Sequence, residues 1–96
     1  MRDSAVLYDV RRKFHHWRHN EFDSAGCEPY IDRLIAAIDE LLVHLEDSQE
    51  AWDRALGGVN WLLYALSGFA LVGADKPFHT FLGQQISALV DRGVLP

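Results

Sequence analysis

Residues 29–45, PYIDRLIAAIDELLVHL, decide the fold. Ile31, Leu34, Ile35, Ile38, Leu41, Leu42 and Leu45 recur at spacings of three and four and fall within one arc of roughly 100° on a helical wheel, while Asp32, Asp39, Glu40 and Glu46 lie outside it. This is an amphipathic helix with one face to bury. Pro29 suits its first turn, where a backbone N–H would find no partner inside the helix.

Reading outward toward the N-terminus, Asp23, Ser24 and Gly26 mark a loop over Glu21–Glu28, and before it Val6, Val10, Phe14 and Trp17 form the apolar stripe of a first helix. Asp3 or Ser4 caps that helix, which reaches about Asn20. Toward the C-terminus, Ser48, or Asp47 with Glu50 as a capping box, opens a third helix that runs to about Val72. Its stripe of Trp52, Leu56, Val59, Leu63, Leu66 and Ala70 keeps one phase across Gly57-Gly58, where a kink is expected and each glycine costs ~1 kcal/mol of helix propensity. Asp75 or Lys76 and then Pro77 start a fourth helix built on Phe78, Phe81, Leu82, Ile86 and Leu89, and Gly93 followed by Val94 ends it in a left-handed turn. No segment alternates with period two. The expected fold is all-α, a compact four-helix bundle of up-down-up-down order with a kinked, strongly apolar third helix, residues 1–96 forming a single helical domain.

Composition agrees. The 96 residues are 49% hydrophobic and 24% charged, close to a globular average, so neither a disordered nor a fibrous chain is expected. The single cysteine, Cys27, excludes an intramolecular disulfide framework and suits a reducing compartment. The first residues alternate charge with apolar side chains and do not read as a secretory leader, so the expected location is the cytoplasm. From Val59 to Ala74 only Asn60 and Ser67 are strongly polar, but this 16-residue run is shorter than the ~18–20 residues needed to span a bilayer. No membrane association is expected.

The net charge of −5 is unevenly spread. Residues 1–20 carry a balance of +3, residues 21–55 one of −8, and residues 56–96 are neutral, which polarises the chain for encounter with partners. Four features follow. The basic face of the first helix, Arg11, Arg12, His15, Arg18 and His19, has the charge to track phosphates, though the acid excess elsewhere weighs against nucleic acid. His15 and His19 are four apart and reach one side of the helix, yet two ligands do not make a zinc site, and three neighbouring arginines repel a cation. The carboxylates Asp32, Asp39, Glu40, Glu46, Asp47 and Asp53 offer an acidic face to a cationic partner. Finally, the third helix has a second apolar arc, Gly57, Trp61, Tyr64, Gly68 and Val72, opposite its core stripe; it is either buried in a central helix or an interface to a partner or a second copy.

Catalysis is not expected, since no phosphate loop, nucleophile elbow or paired acid and base is present and a bundle this small leaves little room for a pocket of ~300 Å³. No cofactor is implied. The reading is a non-catalytic protein-binding module acting as an inhibitor, adaptor or assembly subunit, with small inhibitors of bacterial and phage conflict as an analogy. The alternatives are a nucleic-acid-associated protein using the basic helix and a metal-binding helical protein using His15 and His19.

Overall fold

The computed structural model describes residues 2–20, 26–72 and 76–96, apart from the side chains at 69–72 and 76. Each amphipathic segment forms one helix: α1 Ser4–Asn20, α2 Glu28–Val43, α3 Gln49–Val72 and α4 Lys76–Asp91. The described residues contain no strand. The helix ends follow local chemistry. Asp3 Oδ1 accepts the Val6 N–H at 3.1 Å, Ser48 Oγ accepts the Ala51 N–H at 3.2 Å, and Pro29 sits in the first turn of α2. At the end of α4, Gly93 takes φ +73°, its N–H meets the Val90 carbonyl at 3.0 Å and the Val94 N–H reaches back to Leu89 at 2.9 Å. This pair of hydrogen bonds is the Schellman stop, and it folds Val94 and Leu95 into the core. Residues 21–25 of the expected first loop and residue 75 of the expected α4 start lie outside the described residues.

The helices pack as a ring: α1 on α2, α2 on α3, α3 on α4, and α4 back on α1, the diagonal backbones standing farther apart among the described residues. Two sets of contacts fix the directions. Arg11 pairs with Asp39 and Arg18 with Asp32, so α1 and α2 run antiparallel. Asp3 pairs with Arg92 while Phe14 meets Phe81, so α1 and α4 also run antiparallel. The result is an elongated bundle of 39 × 22 × 19 Å. α3 passes through Gly57-Gly58 without interruption.

One apolar core runs through the ring. Val10, Phe14, Ile31, Leu34, Ile38, Leu41, Val59, Leu63, Leu66, Phe78, Leu82 and Leu89 are buried as their stripes require. Trp17 stacks on Phe81 at 4.5 Å between centroids, closing the seam between α1 and α4. The structure also corrects the stripes. Leu7, Leu62 and Cys27 join the core, Leu56 and Ile86 are only partly buried, and the side chain of Ala70 lies outside the described residues. On α4 the buried positions are Phe78, Leu82, Gln85 and Leu89, a four-three-four repeat that places a glutamine where an apolar residue is usual. Gln85 is 4% exposed and its Oε1 accepts no hydrogen bond.

Two stability changes of opposite sign follow. Leu41→Ala removes a fully buried side chain and should lower the unfolding free energy by ~2–5 kcal/mol in a urea titration. Gln85→Met keeps the volume and removes a buried acceptor without a partner, so it should raise the unfolding free energy by about 1–3 kcal/mol in the same measurement.

Candidate functional site

The second arc of α3 faces outward. Trp61 is 61% and Tyr64 81% exposed, and Gly57, Gly58, Asn60 and Gly68 around them are exposed as well. Val72 ends the helix, and its side chain lies outside the described residues. Of the two expectations for this arc, burial within the chain is therefore excluded for the described residues. A β-carbon built on Gly57, Gly58 or Gly68 would meet nothing within 4 Å. None of the three has a positive φ. The fold itself thus gives no reason for glycine at these positions, although each costs ~1 kcal/mol against alanine in a helix. What the glycines leave is a helix surface with bare backbone beside two projecting aromatic rings, uncharged from Ala55 to the end of α3.

Most of the acidic residues already have partners within the chain. Asp39 accepts a forked bond from Arg11, whose Nη2 lies 3.2 Å from Oδ2, and Asp32 accepts the same kind of bond from Arg18, Nε to Oδ1 being 3.1 Å. Both pairs tie α2 to α1 at two levels seven residues apart. Asp39 also holds the Arg11 guanidinium more firmly protonated than usual. Glu40 and Asp47 flank His44 at the end of α2, Asp53 accepts a bond from Gln49 at 2.8 Å on α3, and Glu46 makes no ion pair with a described residue. Five of the six carboxylates are thus engaged inside the chain.

The basic face is engaged in the same way. Besides Arg11 and Arg18, Arg12 and Lys13 both reach Asp9 at 2.6 and 2.9 Å, which lowers the Asp9 pKa. A phosphate would have to displace carboxylates already in place. His15 and His19 lie side by side with ring centroids 4.4 Å apart, both exposed, and no group of three metal-ligating side chains forms among the described residues. Cys27, the single thiol of the chain, is buried in the core.

Contrary to the expectation of little room for a pocket, the helices leave open grooves between them. One of about 460 Å³ lies between α2 and α3, lined by Ala37, Glu40, His44, Ala55 and Gly58 among others. His44 Nδ1 is 2.6 Å from Asp47 and Nε2 is 3.1 Å from Glu40, so both ring nitrogens are occupied and neither is poised to take a proton from a substrate. Arg2 closes this end of the bundle: its Nη1 donates to the carbonyls of Leu45 at 2.9 Å and Asp47 at 2.7 Å, and its guanidinium lies over Trp52 at 5.1 Å. No sequence pattern announces the Arg2 contact, because it joins residues more than forty positions apart.

Comparison of the chain with protein-family models, curated proteins and solved structures gives no match.

Gly57→Ala and Gly68→Ala should each stabilise the fold by up to about 1 kcal/mol at protein concentrations too low for association, read from thermal melts. His44 gives a pH dependence. Asp47 first and Glu40 second raise its pKa above the ordinary 6.5, so the stabilisation is fully present below pH 6.5 and is lost as pH rises through the raised value. An NMR titration should place the His44 midpoint above 6.5, and His44→Gln should flatten the melting temperature over that range.

Proposed function

We propose that this chain is a non-catalytic protein-binding module whose working surface is the outer face of α3, centred on Trp61 and Tyr64. The observation that carries the reading is the exposure of both rings on one uncharged helix face between glycines that the fold does not need. Tryptophan and tyrosine are residues that anchor interfaces, and charge is depleted at interface cores. Arg11, Arg18, Asp32 and Asp39 instead hold α1 to α2, which is why the acidic and basic faces support a partner less well. The module acts by occupying a surface of another protein, as an adaptor, assembly subunit or inhibitor, and its single cysteine suits work in the cytoplasm.

Affinity capture with paired variants tests this. Proteins retained by the wild type should be lost from a folded Trp61→Glu/Tyr64→Glu variant and kept by Asp39→Asn/Glu40→Gln/Glu46→Gln. The opposite pattern would move the binding surface to the acidic residues.

A further inference from the structure

The four seams of the ring are unequal. The seam between α1 and α4 is the one whose helices are not consecutive in the chain, so no loop closes it, and its contact is the least extensive of the four among the described residues. On α4, residues 81, 85, 88 and 92 recur at spacings of four, three and four and share one flank. Phe81 meets Phe14 and Trp17, Ala88 shares a groove with Ala5, Val6 and Asp9, and Arg92 pairs with Asp3 at 3.1 Å. That flank therefore faces α1, and Gln85 lies in the middle of it, 4% exposed.

Unpaired polar groups gather in the same seam. Among the described residues, two buried side-chain polar atoms have no hydrogen-bond partner in the chain, Trp17 Nε1 and Gln85 Oε1. Trp17 lies in the seam with Gln85, its ring 4.5 Å from Phe81 and 5.6 Å from Phe78 between centroids. One atom belongs to a donor and the other is an acceptor, and each regains a partner once water reaches it. Grooves of about 440 and 360 Å³ flank the seam toward its two ends, the second lined by Arg12, Lys13, His16, Trp17 and Phe81. A single ion pair, Asp3–Arg92, crosses at one end, whereas two forked pairs tie α1 to α2.

We infer that the bundle opens at the α1/α4 seam while the other three seams stay closed, α1 remaining on α2 and α4 on α3. The closed form bears the cost of two desolvated, unpaired polar atoms; the open form bears the cost of wetting Phe14, Trp17, Phe78 and Phe81. These costs oppose each other, which places the open form nearer in free energy to the closed form than the unfolded chain, in which all four seams are lost. The seam is thus a gate over the aromatic cluster, covering it when closed and presenting it when open. It stands apart from the outer face of α3 and does not depend on the binding role proposed for that face.

The indole N–H of Trp17 reads the gate, because with no partner in the chain it exchanges with solvent hydrogen only when water reaches it. In heavy-water exchange followed by NMR, its protection relative to a short tryptophan peptide should be at least a hundredfold lower than that of the Ile38 and Leu41 amides of α2, and should change little in low urea. Gln85→Met removes a cost that only the closed form bears, and should raise the Trp17 indole protection about tenfold. Equal protection of the Trp17 indole and the α2 amides would overturn the gate, since opening would then require global unfolding. Low Trp17 protection that Gln85→Met leaves unchanged would also overturn it, since the ring would then be moving by itself. If Gln85→Met failed to fold, Gln85→Leu would make the same test.

Discussion

The bundle depends on the burial of one helix seam from two sides. Ile31, Leu34, Ile38 and Leu41 of α2 are completely buried, and α2 packs on both α1 and α3 more extensively than any other pair in the ring. α1 covers one flank of that seam with Leu7, Val10 and Phe14; α3 covers the other with Val59, Leu63 and Leu66. α4 then completes the ring by laying Phe78, Leu82 and Leu89 across the remaining gap between α1 and α3. Once each helix has buried its stripe, no apolar demand within the chain is left for the second arc of α3. That surplus is the physical basis of the functional reading, because a marginally stable domain gains nothing in its own fold from exposed rings and helix-interior glycines.

Charge sets the register that hydrophobic burial leaves loose. The Arg11–Asp39 and Arg18–Asp32 pairs join α1 and α2 at two levels, and forked guanidinium–carboxylate geometry defines orientation better than a single contact would. Both pairs are partly exposed, so their contribution to stability is modest. Their larger effect is to cancel much of the polarity along the chain. A basic first helix and an acidic second one, each a candidate binding surface by composition, cancel part of each other's charge when packed side by side. This pairing is why the proposed partner surface lies on the uncharged helix and not on the charged ones.

Helix number, order and most of the core were legible because amphipathic periodicity, Pro29, Ser48 and Gly93 act locally. What was not legible depended on neighbours. A helical wheel gives the angle between the two arcs of α3 but not whether a fourth helix covers the second, so exposure of Trp61 and Tyr64 had to come from the packing. The fate of Asp32 and Asp39 depended likewise on which helix lies alongside α2. On α4, the apolar residues Phe81 and Ile86 drew attention from the regular spacing of Phe78, Leu82, Gln85 and Leu89; that spacing alone would have located Gln85 in the core. The Arg2 contact with the end of α2 had no sequence signal, since a lone arginine near a terminus fits many roles.

The central claim is that the chain folds fully without the outer face of α3. It is tested most directly by urea unfolding of a Trp61→Ala/Tyr64→Ala variant and the wild type, both diluted until monomeric. Side chains outside the core should change the unfolding free energy by no more than about 0.5 kcal/mol. A loss of about 2 kcal/mol or more would mean that these rings belong to the fold, and would contradict the account.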